Sequence, residues 1–395
     1  MGRKKVLAIN LGWEQEPLLD ELQKRELEIY GVHDKSNYYR GVEYADIKIA
    51  SFRDIESIGK FAEKVQPNSV ISDQCDYSFF AQAYLAEKYD LPGPTIKEAQ
   101  ISSNKYLQRV KAEDKDLLIP EYQLVSNIDE VKEFAKRIGF PIILKPIDNR
   151  GSIGVERIDS TNEIKDAFFN ALENSKSWLL IVERFVQGRE ITIDGYIFNG
   201  TCYSIALATK QLISEKNQVA VDIIYPGELS PNLYARAMKI NEEVNSMLGY
   251  SFGMTHSEYK INSDGEIFLI ESANRGGGVY TSEVIVPNVT GIDTLDQYIN
   301  DCLGIKATKN FRSINKNPVI LKFLSLKEGE VQKIEGLQEI KEHPEVLKLR
   351  LAVSEGDIIT KISSDANRHG FLIVKSEKPR EKANKLIEKI KFIYK

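Results

Sequence analysis

Two glutamates, Glu258 and Glu271, are spaced so that they could hold a divalent cation together. Each lies in a short strand-like segment, and the segments are joined by Asn262-Ser263-Asp264-Gly265, in which Asp-Gly is a strong hairpin signal. Antiparallel strands joined in this way can present both carboxylates on one face. Facing carboxylates are unfavourable in a cleft unless a cation or proton lies between them, and Mg²⁺ prefers such oxygen ligands. The pair predicts a magnesium site, although a solvated hairpin would show the same pattern.

The segment Lys145–Val155 could bind an anion. An apolar strand ends at Lys145, a turn with Gly151, Ser152 and Gly154 follows, and a second strand begins. Glycines let the backbone approach an anion and turn its N–H groups inward, while the lysine supplies a point charge. The spacing does not fit the P-loop pattern G-x-x-x-x-G-K-[ST]. By itself the segment is more typical of a surface hairpin whose glycines serve turn geometry.

Strands and helices alternate along the first part of the chain. Apolar runs predict strands at Val6–Asn10, Glu28–Val32 and Ser69–Ser72, with helices at Pro17–Leu27 and Ile55–Val65. This alternation is typical of a doubly wound parallel sheet. The turn after the first strand lacks G-x-G-x-x-G, which disfavours a dinucleotide site.

Two later helices carry capping signals. Ser102 or Ser103 is expected to cap a helix that begins near Lys105, and Asn127 a helix that ends before Gly139. From about residue 310 the pattern changes to short strands and turns, closed by an expected helix at Lys382–Ile393. We predict three domains, spanning residues 1–98, 99–309 and 310–395, in a fold that combines α/β and α+β parts.

The run G-F-P-I-I-L-K-P-x-x-x-x-G-S-x-G-V, residues 139–155, resembles the phosphate-covering loop of the ATP-grasp family. That family includes biotin carboxylase, D-alanine–D-alanine ligase and the L-amino-acid ligases, and the similarity continues in order through most of the chain. The resemblance implies a central two-lobed ATP-grasp domain whose mobile lobe spans about residues 115–188, between the parallel-sheet domain and a small C-terminal domain.

The resemblance also implies which residues bind ATP. Lys105 and Lys145 match the two lysines that grip the α- and β-phosphates, beneath the loop with Gly151, Ser152 and Gly154. The segment Ile181–Glu190 looks like the family's hinge strand. There, Glu183 and the backbone near Val186 are expected to contact the adenine edge. Glu190 is expected to contact the ribose hydroxyls. Without the resemblance, both glutamates would be an exposed pair flanking a turn.

The metal-binding part of the family pattern is incomplete in this chain. The family usually has Glu-x-Asn-x-Arg, whereas this sequence has Glu271-Ser272-Ala273-Asn274-Arg275. Glu258 and Glu271 are the implied ligands of Mg²⁺, or of Mn²⁺, while Ala273 occupies the position of a further ligand. Water, or Asn274 through a local bulge, could replace it. Arg275 matches the arginine that steadies the acyl-phosphate and its carboxylate.

Four further residues are candidates for substrate or phosphate contacts. Lys210 could reach the γ-phosphate or the substrate, but an exposed lysine at a strand end is nearly as typical. His256 is assigned to the substrate site as well, although a lone histidine beside a strand is more often structural. Gly276 and Gly277 begin a loop that, with the first domain, is expected to line the substrate pocket.

The resemblance implies two-step chemistry in which ATP phosphorylates a carboxylate and a nucleophile then displaces phosphate. An amide-forming ligase of a small-molecule carboxylate and an amine, both amino acids, fits the sequence best. A carboxylase that activates bicarbonate is one alternative. A biotin carrier within the chain would need Met-Lys-Met at the tip of a hairpin, whereas the nearest segment, Met238-Lys239-Ile240, has a helical pattern. A non-catalytic nucleotide-binding relative is the other.

Composition excludes several other classes of function. The net charge of −5 argues against a general nucleic-acid or anionic-membrane binder, because such proteins need a basic excess. The 3 cysteines are scattered, which disfavours a zinc site or a disulfide framework. No apolar run approaches the roughly 20 residues of a membrane span. We therefore expect a cytoplasmic protein, and a homodimer is compatible with the sequence.

Overall fold

The structure, a computed structural model, describes residues 2–113, 117–214, 219–306, 311, 317–362 and 364–395. Within these residues no helix combines the length and the apolar character needed to cross a bilayer. The expected domain boundary at residues 309 and 310 lies outside the described residues, as does residue 115, the expected start of the mobile lobe.

The first segment forms a parallel sheet between helices. Its elements are β1 (Lys5–Ile9), α1 (Glu16–Lys24), β2 (Glu28–His33), β3 (Asp46–Ile49), α2 (Ile55–Val65), β4 (Ser69–Ile71), α3 (Asp76–Lys88) and α4 (Ile96–Ser102). The strands pair in the order β3-β2-β1-β4. Side chains alternate along β1, so Leu7 packs in one core with Phe61 of α2, whereas Val6 packs in another with Leu18 of α1. The doubly wound sheet is confirmed; β3 and α3 lie where the sequence predicted no element.

The helix that carries Lys105, α5 (Lys105–Glu113), is capped differently from the expectation. Asn104 is the capping residue, because its Oδ1 accepts a hydrogen bond from the N–H of Leu107 at 3.1 Å. Ser102 ends α4 instead, and its hydroxyl accepts a hydrogen bond from the N–H of Asn274 at 2.8 Å. The predicted serine cap is therefore wrong, because Ser102 instead contacts a residue from a distant part of the chain.

The next segment forms a small lobe with its own core. Its elements are β5 (Tyr122–Val125), α6 (Ile128–Ile138), β6 (Ile142–Pro146), β7 (Glu156–Ile158), α7 (Ile164–Glu173) and β8 (Leu180–Arg184). The strands pair antiparallel in the order β5-β8-β6-β7. Phe134, Leu144 and Phe168 are buried between this sheet and its helices. The Asn127 cap is confirmed, since its side chain accepts a hydrogen bond from the N–H of Glu130 at 3.0 Å.

A third, larger sheet has eight strands from the central and C-terminal parts of the chain. The central elements are β9 (Arg189–Phe198), β10 (Thr201–Leu212), β11 (Ala220–Tyr225), α8 (Pro231–Leu248), β12 (Gly253–Ile261), β13 (Ile267–Ala273), α9 (Val286–Thr290) and α10 (Thr294–Cys302). The C-terminal elements are β14 (Val319–Phe323), β15 (Gly329–Glu335), α11 (Leu337–Lys341), β16 (Val346–Leu351), β17 (Ile358–Ile359), β18 (Gly370–Lys375), α12 (Pro379–Ile387) and β19 (Lys391–Tyr394). Eight strands pair in the order β13-β12-β9-β10-β11-β14-β18-β16. The C-terminal strands therefore extend the central sheet through the β11–β14 pair.

The end of the chain differs from the expectation of one long helix. The helix α12 ends at Ile387, and Lys391–Tyr394 forms β19, which pairs antiparallel with β15. Lys-Phe-Ile-Tyr contains two aromatic residues and a β-branched residue, which suit a pleated surface, so pairing with an available strand edge prevails over continued helix. Met238-Lys239-Ile240 lies within α8, as its helical pattern predicted.

Candidate active site

A cleft of about 610 Å³ opens between the small lobe, the central sheet, the C-terminal strands and the N-terminal segment. Twelve of the residues predicted from the sequence line it: Lys105, Lys145, Gly151, Ser152, Glu183, Val186, Glu190, Lys210, His256, Glu258, Glu271 and Arg275. The remaining three, Gly154, Gly276 and Gly277, do not line the cleft. A Cβ at Gly276 would meet Asp73 Oδ1 and Ser282 Oγ at 2.6 Å, so this glycine permits close packing behind the cleft wall.

The β12–β13 hairpin brings Glu258 and Glu271 together. The two residues are direct partners in the antiparallel register, so their side chains share one face of the sheet. Each carboxylate accepts a hydrogen bond from a lysine, Glu271 from Lys105 Nζ at 2.9 Å and Glu258 from Lys210 Nζ at 2.5 Å. The hairpin therefore presents two oxygen-donor groups next to two cations.

The residues present fit a hard cation in part. Two adjacent carboxylates are suitable ligands for Mg²⁺, but the described residues contain no cluster of three or more His, Cys, Asp or Glu side chains that could hold a metal. Ala273 lines the cleft and offers no side-chain donor atom. Asn274 does not replace it, because it does not line the cleft; its side-chain N–H groups donate hydrogen bonds to the carbonyls of Phe252 and Met254, at 2.8 and 3.1 Å. The remaining ligands would have to come from phosphates and water.

Lys210 is a buried counter-ion rather than an exposed lysine at a strand end. Its ammonium bridges Glu190 Oε1 at 3.0 Å and Glu258 Oε1 at 2.5 Å. Burial alone would lower the pKa of Lys210, but the two carboxylates raise it, so the side chain stays charged. In turn, although burial would raise the pKa of Glu258, Lys210 and His256 hold it well below its usual range.

Glu183, expected at the adenine edge, forms part of a buried ion cluster. Its carboxylate contacts Lys145 Nζ at 2.8 Å and Arg109 Nη2 at 2.8 Å. The three side chains are 3%, 5% and 0% exposed, respectively. Burial would raise the pKa of Glu183, but the two cations lower it. Arg109 had no sequence signal, because it lies one helical turn beyond Lys105 in a segment without a motif.

Arg275 is anchored to the N-terminal segment. Its Nε and Nη2 donate to the two carboxylate oxygens of Asp76, at 2.8 and 2.9 Å, and its Nη1 donates to the Gly276 carbonyl at 2.9 Å. Burial would raise the pKa of Asp76, but the guanidinium lowers it, so the pair is ionic. This bidentate geometry fixes the plane of the guanidinium at the cleft surface.

His256 is held by polar partners beneath the cleft. Its Nδ1 lies 2.8 Å from Asp194 Oδ1, and its Nε2 lies 3.2 Å from the hydroxyl of Thr192. Asp194 also accepts a hydrogen bond from the hydroxyl of Tyr225 at 2.6 Å. These contacts give the histidine a structural role while its ring still lines the cleft.

A second carboxyl pair, which the sequence analysis missed, supports the loop that begins at Gly276. Asp73 Oδ1 accepts the N–H of Gly276 at 2.8 Å, and Gln74 Nε2 donates to Glu283 Oε1 at 2.6 Å. Burial, together with the charge of Asp73, raises the pKa of Glu283 well above its ordinary value. Asp73 and Glu283 are about 200 residues apart in the chain, so no local pattern could pair them.

Two parts of the chain match known protein families. A family model described as ATP-grasp domain matches residues 138–283, and one described as L-amino acid ligase C-terminal domain 2 matches residues 322–395. D-alanine–D-alanine ligase B of Chromobacterium violaceum is 28% identical over 221 residues, which is 55% of this chain and 70% of that protein. An L-arginine-specific L-amino acid ligase of Bacillus subtilis is 20% identical over 310 residues, 77% of this chain and 74% of that one.

A solved structure shows the same fold over the full length. The crystal structure of L-amino acid ligase from Bacillus licheniformis matches with a TM-score of 0.86 at 19% identity, covering 100% of both chains. The chain spans 62% to 74% of the length of the first curated relatives it matches.

Proposed function

Because the chain belongs to the ATP-grasp ligases, we propose that it is an ATP-dependent carboxylate–amine ligase that joins two amino acids through an acyl-phosphate. One observation carries this proposal. The register partners Glu258 and Glu271, each bonded to a lysine, share a cleft with the turn at Gly151–Ser152. A cleft that pairs oxygen donors with several cations suits a metal-bound polyphosphate.

The reaction is a carboxylate phosphorylation followed by aminolysis. An oxygen of the substrate carboxylate attacks the γ-phosphorus, the bond to the bridging oxygen breaks, and ADP leaves with the electron pair. The amine nitrogen then attacks the acyl carbon, the bond between that carbon and the phosphate oxygen breaks, and phosphate leaves with the electron pair. When the amine enters as an ammonium ion, one proton is released overall.

The chain's own groups would act by position and charge. Lys105 and Lys145 would bind the α- and β-phosphates, and the turn Gly151–Gly154 would cover them and exclude water. Glu258 and Glu271 would hold Mg²⁺, or Mn²⁺, which when bound neutralises charge on the phosphates. Arg275, fixed by Asp76, would stabilise the acyl-phosphate.

The hinge-strand residues that line this cleft would contact the nucleotide. Val186 and Glu190 line it beyond the buried Glu183 cluster, so the Val186 backbone would meet the adenine edge and Glu190 the ribose. Glu183 would act through Lys145 and Arg109, because both of its oxygens already accept hydrogen bonds or ion pairs. Structural neighbours include an ADP complex and a MgADP complex of related proteins, which supports nucleotide binding in this cleft.

An assay of ADP and phosphate release tests the proposal. Purified protein receives ATP, Mg²⁺ and pools of amino acids, and release that needs an amino-acid pair is the expected result. Release that needs bicarbonate would point to a carboxylase. If no pool of amino acids causes release of ADP and phosphate, the protein would be a non-catalytic nucleotide-binding relative. That alternative is retained because the side chain of Ala273 supplies no metal ligand.

A matched pair of variants tests the metal assignment. Glu271→Gln should remove Mg²⁺-dependent ADP release, because it neutralises one of the two carboxylates. Glu266→Gln changes an exposed glutamate of the same hairpin, so it should leave Mg²⁺-dependent ADP release unchanged. Full activity of Glu271→Gln at the same Mg²⁺ concentration would contradict the assignment.

A further inference from the structure

We propose that the part of the cleft lined by the C-terminal strands and Trp13 is the subsite for the amine substrate. We infer that this substrate is an α-amino acid with a large apolar side chain and that Arg350 binds its carboxylate. The inference rests on the proposed ligase function, but it uses residues other than those assigned to ATP and the metal.

The apolar surface of this subsite is built by one face of the C-terminal strands. Phe323 of β14 is the register partner of Phe371 of β18, and Phe371 is in turn the partner of Arg350 of β16. Register partners project from the same face of a sheet, so the two rings and the guanidinium form one row. Leu321 and its register partner Ile223 of β11 continue that face, and all five residues line the cleft.

The N-terminal segment closes this row from the opposite side. The ring of Trp13 lies 5.7 Å from that of Phe371, and the Arg350 guanidinium lies 4.5 Å from the Trp13 ring. Trp13 also lines the cleft. A concave surface made of aromatic and aliphatic side chains favours a ligand with a large apolar group, because burying that group removes apolar area from water.

The cations of the cleft point to the position of the carboxylate. Most of them already have carboxylate partners among the described residues: Lys105 with Glu271, Lys145 with Glu183, Lys210 with Glu258, Arg275 with Asp76, and Arg368 with Asp365. Arg150 has none within the part of the chain that the structure describes, but it belongs to the turn over the phosphates and donates to the Gln74 carbonyl at 3.3 Å. Lys260 lines the cleft beside the hinge strand, where its ammonium lies 4.5 Å from the Phe185 ring.

Arg350 has no carboxylate within ion-pair distance in the described part of the chain, although it lies on the cleft surface. The N–H edge of its planar guanidinium can bind a carboxylate in a bidentate manner, while the Trp13 ring lies against a flat face of the group. In the ligase reaction the acid substrate loses its free carboxylate to phosphate, whereas an amino acid used as the amine keeps its own. The unpaired guanidinium beside an apolar wall therefore matches the amine substrate.

Binding and turnover together test this assignment. Binding of L-phenylalanine, L-phenylalaninamide and glycine is measured by calorimetry on the full chain with MgADP, and ADP release is measured with each as the amine. L-Phenylalanine should bind about tenfold or more tightly than either analogue. Arg350→Met should abolish the preference for the free acid over the amide, and Ile223→Ala should reduce the preference for phenylalanine over glycine.

Lys322→Met is the matched control. Lys322 lies in β14 between Leu321 and Phe323, so it projects from the opposite face; it pairs with Asp222 at 2.9 Å and does not line the cleft. Its substitution should leave the acid-to-amide ratio unchanged. Equal binding of acid and amide by the unaltered protein would overturn the proposal, as would an unchanged ratio in Arg350→Met. Arg350-dependent binding without ADP release from any amino-acid pair would support the subsite while refuting the ligase function.

Discussion

The buried cluster of Glu183, Lys145 and Arg109 makes a quantitative prediction for Glu183→Gln. The substitution preserves side-chain volume and creates no cavity, but it leaves two cations without their shared counter-ion. Their side chains are 5% and 0% exposed, so water cannot replace the lost charge. Removing one partner of a buried ion pair costs about 3–5 kcal/mol. At about 1.4 kcal/mol per factor of ten, the small lobe should open at least about a hundredfold more often.

Hydrogen exchange is the appropriate measurement, because a chain with several lobes need not unfold in one step. The backbone amides of Ile142, Ile143, Leu144 and Lys145 in β6, and those of Leu180–Arg184 in β8, report opening of the lobe directly. Glu121→Gln is the control, since Glu121 pairs with Arg184 in the same sheet but its side chain is 53% exposed. That exposed pair should contribute about 1 kcal/mol or less.

The nucleotide dependence separates the two interpretations of Glu183. If the carboxylate serves as a counter-ion, ATP should partly restore protection in Glu183→Gln, because the phosphates supply negative charge beside Lys145. If Glu183 instead met the adenine edge, the variant would lose its selectivity for ATP over GTP and keep the stability of the lobe. Unchanged exchange rates in the absence of nucleotide would show that Glu183 does not stabilise the small lobe as a counter-ion.

Three further predictions follow from individual contacts. The pKa of Glu283 is raised in the folded protein, so its protonated form contributes stability at acidic pH that is lost as pH rises through the folded pKa. As pH is raised above about 4.5, the melting temperature of Glu283→Gln should therefore fall less than that of the unaltered protein. Parallel curves of melting temperature against pH would contradict this. The hydroxyl of Tyr77 donates to Asn149 Oδ1 of the phosphate-covering turn at 2.7 Å; Tyr77→Phe should lose about 0.5–1.5 kcal/mol of closure, and a KM for ATP that rises less than about twofold would speak against this contact. Ala273→Asn would add an oxygen donor beside Glu271, and the Mg²⁺ concentration for half-maximal ADP release should drop; an unchanged or higher concentration would argue against a ligand at this position.

Much of the fold was predictable because its signals are local. The Asp264-Gly265 turn with strand-like flanks predicts the β12–β13 hairpin, and pairing in that hairpin then places Glu258 opposite Glu271. The cap at Asn127 likewise depends on a residue three positions away. The resemblance to the ATP-grasp family supplied the order of the cleft residues, and the cleft contains most of them.

The charge partners could not be predicted, because they come from distant parts of the chain. Asp76 reaches Arg275 only after α3 and the loop beyond β13 pack together, and Arg350 meets Trp13 only once β16 joins the central sheet. The strand at Lys391–Tyr394 likewise forms because β15 offers it a free edge. Side-chain periodicity and turn chemistry act over a few residues, so the sequence by itself determined the elements and the positions of the lysines and glutamates. Tertiary packing alone decided which of those charges are neutralised, which stay unpaired, and therefore which part of the cleft can receive a substrate carboxylate.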